Sequence, residues 1–546
     1  MPKSICLLAL CVAAAVTFSP VLARAAADDK PADKSAEKPA EKPAQDATTQ
    51  GSLDAGGLHI QYTAVAGTIT VGATEEQDAQ LGPDGKPLPD TDLAAAVAAA
   101  KDATQAPPLA RMFYVAYLKR DAVADQRPIT FLYNGGPGAS TVWLHMGSFG
   151  PKHVVTDADT HLAGAPYKLA DNAESLLDAS DLVFIDMPGT GFGRLTGKDS
   201  GKAFWGIDED GHAFARFIAR FLSKYNRWNS PKYVFGESYG TTRSAVLSDI
   251  LENEKSIDLN GVILLSQIFN FTVDIDAAHY NPGIDLTYEL ALPTYAATAR
   301  YHHKLPQDHA DLAAFLKEVE DFAMGEYSQA LAKGTDLSGS EKQSIAQKLH
   351  EYTGLPVDYL MKGDLRISGG QFEKSLQDDT GDTTGRLDTR FTGPSIDPLS
   401  EEAEYDPQSS AISSAYVSLF NQYVRQTLKY GEGQTYLPEA QFGGTQWDFK
   451  HRGNPIDLNV SLDLAEAMKT NPKLKVLVNG GYYDLATPFY AAFYEDKHLP
   501  IPEKLAGNID YAWYESGHMV YVRDESLKQL HDRVAAFIRS TAGVNP

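Results

Sequence analysis

Cysteine is almost absent: the 546 residues contain two, Cys6 and Cys11. Both lie at the extreme N-terminus, so the rest of the chain has no thiol. That excludes a disulfide framework, a cysteine nucleophile and a thiolate metal site. Positive charge is also scarce, with 48 Lys and Arg against 72 Asp and Glu and a net charge of −24. Phosphate backbones and anionic lipid are repelled by such a chain, which excludes nucleic acid and acidic membrane surfaces as partners. The apolar run from Ile5 to Val16 is too short to serve as a stable membrane anchor. Lys3 precedes it and Ala23-Arg-Ala-Ala-Ala27 follows, the pattern of a secretory signal cleaved near residues 25 to 27. Leu10 before Cys11 is too bulky for a lipid-attachment box. Residues 1–26 therefore read as a signal peptide, and an exported chain without disulfides points to a bacterial periplasm or medium.

Residues 27–52 are Ala, Lys, Pro, Asp and Glu with few large apolar side chains, the composition of a disordered linker. Folded sequence is expected from near Gly57, within a catalytic domain spanning 53–546. Alternating runs predict strands at His59 to Val65, Thr68 to Val71, Arg111 to Leu118 and Ile129 to Tyr133, the last two as a hairpin-like pair. An Ala-rich run at 93–104 is read as an exposed helix or loop. Runs at Asp181 to Asp186 and Gly261 to Ser266 suit buried parallel strands, and Tyr233 to Phe235, Leu474 to Asn479 and Ile509 to Tyr514 are read as further strands. Ile207, Phe214, Phe217, Ile218, Phe221, Leu222 and Tyr225 carry helical spacing between two of them. This alternation predicts an α/β fold, a central, mostly parallel sheet with helices on both faces. The rhythm breaks from about 270 to 453, where helical patterns (Leu286 to Tyr301, His309 to Leu331, Glu341 to Tyr352) predict a mainly helical cap insertion.

At Lys232-Tyr-Val-Phe-Gly-Glu-Ser238-Tyr-Gly240 a β-rich run meets Gly-x-Ser-x-Gly and then helical spacing. Ser238 is thereby placed on a tight strand-to-helix turn, a nucleophile elbow. Its neighbours Gly236 and Gly240 suit a turn where strand and helix cross closely. The pattern by itself is weak, so the test is whether the chain also supplies a base, an orienting acid and an oxyanion hole. Asp484 follows the strand ending at Asn479, and His518 follows the strand ending at Tyr514. Both are at strand carboxyl ends, where open α/β sheets build their sites. The order Ser, Asp, His is that of the α/β-hydrolase triad. His518 is then the general base and Asp484 the group that orients it; His303 and His451 are the competing candidates for the base. The loop Asn134-Gly-Gly-Pro-Gly-Ala-Ser140 follows a strand, lacks the phosphate-loop Gly-Lys ending, and suits an oxyanion loop as well as a plain turn. His302, His303 and His309 lack metal-ligand spacing, so no metal and no cofactor are expected.

Asn134-Gly-Gly-Pro-Gly-Ala-Ser140, Phe184-Ile-Asp-Met-Pro-Gly-Thr-Gly-Phe192, Gly236-Glu-Ser-Tyr-Gly240, Asn479-Gly-Gly-Tyr-Tyr-Asp484 and Gly517-His-Met-Val520 together resemble the serine carboxypeptidase family of the α/β-hydrolase superfamily. The resemblance runs from about Arg111 to the C-terminus. It implies release of C-terminal residues from peptide substrates through an acyl-enzyme on Ser238. It also implies oxyanion donors at the backbone N–H groups of Gly136 and Tyr239. Asn134 and a protonated Glu237 would bind the substrate's terminal carboxylate. Two departures stand out: Ser148 replaces a second Glu that many members carry, and Ala139 stands where many have Cys. The same triad could hydrolyse esters or transfer acyl groups, and a periplasmic binding protein that kept only the fold is the non-enzymatic alternative.

Overall fold

Short runs with no polar face can be satisfied only by cover on both sides, and five such runs form the centre of a ten-stranded sheet. The computed structural model describes residues 45–443, 446–454 and 458–543. The expected signal peptide and most of the expected linker lie outside these residues. The strands are β1 (Ala47–Ala55), β2 (Leu58–Gly72), β3 (Leu109–Lys119), β4 (Ile129–Tyr133), β5 (Asp181–Ile185), β6 (Arg194–Thr196), β7 (Lys232–Glu237), β8 (Gly261–Leu265), β9 (Lys475–Gly481) and β10 (Ile509–Tyr514). Their spatial order is β1-β2-β3-β5-β4-β7-β8-β9-β10, with β6 beside β3. The six strands from β5 to β10 in that order run parallel. The first three are antiparallel.

Successive residues of the central strands face opposite layers. Val234, Val262 and Val476 pack with Phe214, Phe217, Ile218 and Phe221 of α1 (Ile207–Lys224). Phe235, Ile263 and Leu477 join the opposite cluster with Val534, Phe537 and Ile538 of the closing helix Asp524–Thr541. Burying each of these large side chains stabilises the sheet by about 1.5–3 kcal/mol relative to exposure. The elbow helix α2 (Tyr239–Asp249) packs beside α1. After β8 come α3 (Leu286–Tyr301), α4 (Leu312–Phe322), α5 (Gly339–Thr353) and α6 (Pro407–Gln426). The first three enclose a third apolar cluster that includes Tyr483 and Leu485, the two neighbours of Asp484.

Three expectations need correction. The linker was expected to reach residue 52, but Ala47–Ala55 is strand β1, paired residue for residue with β2. Ladder hydrogen bonds use the backbone, so a polar edge strand that buries only Leu53 and Ala55 carries little side-chain signal. The runs at 59–65 and 68–71 are one strand of fifteen residues. Strands β3 and β4 are not a hairpin, because β5 lies between them, antiparallel to one and parallel to the other. α6 had no counterpart in the sequence reading. Ala99 ends the helix Asp92–Ala99 in the Ala-rich run.

The interior is rich in acid. Burial pushes Asp186, Glu252 and Asp496 up to about 7 and Glu495 up to about 8. The folded chain thus keeps protons that the unfolded chain sheds near pH 4 to 4.5. Their stabilisation is complete below that range and is lost as pH rises through 7 to 8. His451 acts in the same direction. Burial opposes its charge, but Asp208 and Asp463 outweigh burial and raise it to about 9, so its contribution fades as pH rises through that value. His145, lowered to about 3 by burial, works oppositely and loses its contribution as pH falls below about 6.5. The expected outcome is a melting temperature a few degrees higher at pH 5 than at pH 8, measured by scanning calorimetry; a higher value at pH 8 would contradict it.

Candidate active site

The parallel registers bring the carboxyl ends of the central strands level. Tyr133 of β4 lies opposite Gly236 of β7, Leu265 of β8 opposite Glu237, and Asn479 of β9 opposite both Leu265 and Ala512 of β10. The next residues along each strand, Asn134, Ser238 and Ser266, and the loops reaching Asp484 and His518, therefore leave the sheet at one edge. Ser238 is the N-cap of α2 with φ 61° and ψ −132°, a left-handed conformation that strains any residue with a Cβ. The turn closes because its neighbours are bare. A Cβ on Gly236 would lie 2.1 Å from the Gly240 carbonyl oxygen, and one on Gly135 would lie 2.4 Å from the Tyr239 nitrogen. The loop 134–140 is thereby seated directly on the first turn of α2, bringing Gly136 and the Tyr239 amide into one neighbourhood.

Asp484 and His518 meet directly. His518 Nδ1 donates to Asp484 Oδ2 at 2.8 Å, and both residues are buried. An ionised carboxylate only accepts, so Nδ1 carries the proton and Nε2 is left as the basic nitrogen of the neutral ring. Thr487 completes the acid's surroundings: its N–H donates to Asp484 Oδ1 at 2.9 Å and its hydroxyl to Oδ2 at 2.7 Å. Burial by itself would lower the His518 pKa, but the Asp484 charge and hydrogen bond raise it above the ordinary value. β8 ties this pair to the elbow. Ser238 N–H donates to the Leu265 carbonyl at 3.0 Å, and Ser266 donates its N–H to Asn479 O and its hydroxyl to His518 O, both at 2.8 Å.

Glu237, immediately before Ser238, is 3% exposed, and burial pushes its pKa up to about 7. It feels the charges of both His518 and Asp484, and the Asn134 side chain beside it favours its ionised form. The Tyr521 hydroxyl donates to Glu237 Oε2 at 2.9 Å. Asn134 is oriented from its other side, its Oδ1 accepting the Leu144 N–H at 2.9 Å. Asn134 and Glu237 are thus brought together beside the elbow. Tyr521 and Thr487 were not singled out from the sequence. Thr487 had a local signal, the Asp-x-x-Thr spacing in which a carboxylate closes a turn on the N–H three residues on; Tyr521 had none.

Beneath the elbow, Arg243 of α2 pairs with Asp210 of α1 at 2.6 Å, with neither side chain exposed. The guanidinium also donates to the Asn134 carbonyl at 2.7 Å, and its carbon lies 4.3 Å from the Phe214 ring centre and 5.2 Å from those of Tyr133 and Tyr239. One cation therefore joins the elbow helix, its neighbour and the glycine loop. The competing histidines lie elsewhere. His451 is held between Asp208 and Asp463 at 2.6 and 2.9 Å, and His303 is exposed on a turn with φ 55°.

The family model for serine carboxypeptidases matches residues 104–494. The chain belongs to the serine carboxypeptidase family. It is 25% identical over 178 residues to serine carboxypeptidase-like 36 of Arabidopsis thaliana, covering 31% of this chain and 34% of the relative. A pheromone-processing carboxypeptidase of Saccharomyces cerevisiae is 35% identical over 101 residues, 18% of this chain and 13% of that protein. The matched stretches thus span about a third or less of these relatives. A crystal structure of a prohormone-processing carboxypeptidase from Saccharomyces cerevisiae shares the fold, with TM-score 0.51 and 15% identity over 87% of this chain and 91% of that one. Ser148, the residue expected to stand in place of a second Glu, is buried with its hydroxyl donating to the Leu144 carbonyl at 2.6 Å. Ser148 therefore spends its only donor on its own helical turn.

Replacing Arg243 by Met leaves the Asp210 carboxylate buried without its cation. A loss of about 3–5 kcal/mol in folding stability is expected, measured by urea unfolding. Arg243→Met combined with Asp210→Leu should recover most of that loss. A double variant no more stable than the single one would show that the pair carries no such coupling.

Proposed function

We propose that this protein is a serine-type carboxypeptidase, with Ser238 as nucleophile, His518 as general base and acid, and Asp484 as the orienting carboxylate. The observation that carries the reading is the buried Asn134–Glu237–Tyr521 group next to the elbow. A carboxyl group held protonated near neutrality can donate to a carboxylate, and a substrate's C-terminus is the carboxylate that a peptidase of this family would meet there. His518 Nε2 takes the Ser238 proton as Oγ attacks the last peptide carbonyl. The oxyanion that forms is met by the N–H groups of Gly136 and Tyr239. His518 then returns the proton to the leaving amine, so the C-terminal amino acid departs and an acyl-enzyme remains. Water, deprotonated by His518, attacks that ester, and the shortened peptide is released with Ser238 restored. The N-terminal 26 residues support an exported enzyme acting in a periplasm or the medium. The stretch from about 270 to 453 serves as its cap.

The pH dependence has two limbs. Protonation of His518 removes the base at low pH. At high pH, Glu237 ionises as pH passes about 7, and two carboxylates in contact repel. KM for peptides should therefore rise above neutrality. Glu237→Gln keeps a hydrogen-bond donor without the titration, so its alkaline limb for peptides should disappear. Esters lacking a free carboxylate should lack that limb even with the wild-type enzyme. An unchanged alkaline limb in Glu237→Gln would overturn the role of Glu237.

A fluorophosphonate should label the wild-type protein and fail to label Ser238→Ala. Mass spectrometry of a peptide library should show stepwise loss from the C-terminal end. Turnover of acyl esters without amino acid release would assign the same triad to ester hydrolysis or acyl transfer. Failure to label the wild type would leave only a binding role.

A further inference from the structure

The loops carrying Asp484 and His518 are joined by a segment of the insertion that has no place in the mechanism above. Four consecutive residues bind them. The Arg386 carbonyl accepts the Leu485 N–H at 3.1 Å, the Leu387 carbonyl accepts the His518 N–H at 2.6 Å, and Thr389 N–H donates to the Tyr483 carbonyl at 2.9 Å. Between them, Asp388 Oδ2 accepts the Gly517 N–H at 3.0 Å. Two bonds thus hold the residues flanking the acid, and two hold the base and its predecessor.

The centre of this strap is an ion pair. Arg390 reaches Asp388 through Nε at 3.0 Å and Nη2 at 2.6 Å, with Asp388 wholly buried and Arg390 5% exposed. The same Nη2 donates to Ser516 Oγ at 3.2 Å, so the pair grips the chain at both residues preceding His518. The Arg390 guanidinium carbon also lies 5.6 Å from the Tyr483 ring centre. The strap is anchored on the cap, where His302 Nε2 lies 2.6 Å from the Thr389 carbonyl and the Thr298 and Thr389 hydroxyls are 2.5 Å apart. A contact at 0% exposure between a helical insertion and two catalytic loops is more than cover for the sheet.

We propose that Asp388 and Arg390 are positioning residues for catalysis: they clamp the loop before His518 to the loop around Asp484 and so set the alignment of base and acid. The inference rests on the triad reading and adds to it that the insertion, not the α/β core alone, holds the triad in register. Removing the clamp lets the imidazole drift relative to Ser238 while the Asn134–Glu237 end of the site is untouched.

The test compares wild type with Asp388→Asn and Ser516→Ala. Asn retains an acceptor for Gly517 but loses the ionic grip on Arg390; Ala at 516 removes only the second partner of Arg390. Turnover of a peptide substrate and the rate of fluorophosphonate labelling are measured together, with thermal unfolding as the check on folding. Asp388→Asn should lose roughly 10- to 100-fold in kcat and in labelling rate, the scale on which an ångström of misplacement acts, with little change in KM. Its acid limb should shift, because the Asp484–His518 contact is altered, and Ser516→Ala should show a smaller loss of the same kind. If Asp388→Asn does not fold, Ser516→Ala decides. Unchanged kcat and labelling in the folded variants, or an effect confined to KM or melting temperature, would overturn the inference. Absence of labelling in the wild type would instead remove the triad reading, and the clamp with it.

Discussion

Everything at the sheet edge depends on how closely the elbow can close. Ser238 occupies a left-handed backbone conformation that a residue with a side chain adopts at a cost of about 1–3 kcal/mol. It persists because the surrounding contacts leave no room for another arrangement. Strand β7, helix α2 and the loop at Asn134 pass within contact distance through Gly236 and Gly135, where any Cβ would collide with backbone. The hydroxyl, the first amides of α2 and the glycine loop are therefore close by construction, without relying on flexible side chains to bring them together.

Charge buried around this turn serves geometry more than stability. The Arg243–Asp210 pair has no exposed atoms, and such a pair gains little net free energy over apolar packing while being costly to break on one side. Its value is that a planar guanidinium can meet a carboxylate, a carbonyl and three aromatic rings at once. Arg390 does the same on the other side of the site, joining Asp388, Ser516 and Tyr483. Lysine, a point charge without a fork, could not fill either place.

Glu237 shows the converse use of burial. Among the described residues it has no cation beside it other than the His518 imidazole, so desolvation dominates and the carboxyl holds its proton near neutrality. Ser148 is buried, with its hydroxyl turned onto the Leu144 carbonyl. Glu237 accepts instead from the hydroxyl of Tyr521, a donor that burial keeps protonated.

Much of this was legible in the residues. Period and composition predicted strands at 129–133, 261–266 and 509–514, observed at 129–133, 261–265 and 509–514, a helix from Ile207 to Tyr225, observed over Ile207–Lys224, and the strand-to-helix turn at Ser238. Where both faces of a strand are covered, as at 261–265, the run is continuously apolar. Types and order along the chain marked Ser238, Asp484 and His518 as candidates, since each follows such a run. The sequence by itself thus determined the α/β-hydrolase frame and which residues leave its carboxyl edge. The tertiary structure decided the rest: the edge strand at Ala47–Ala55, the insertion of β5 between β3 and β4, and the roles of Tyr521, Arg243 and the strap at 386–390. These are set by backbone hydrogen bonds and by polar contacts between residues far apart in the chain. Such contacts impose no spacing on the residues around them, so no local pattern announces them.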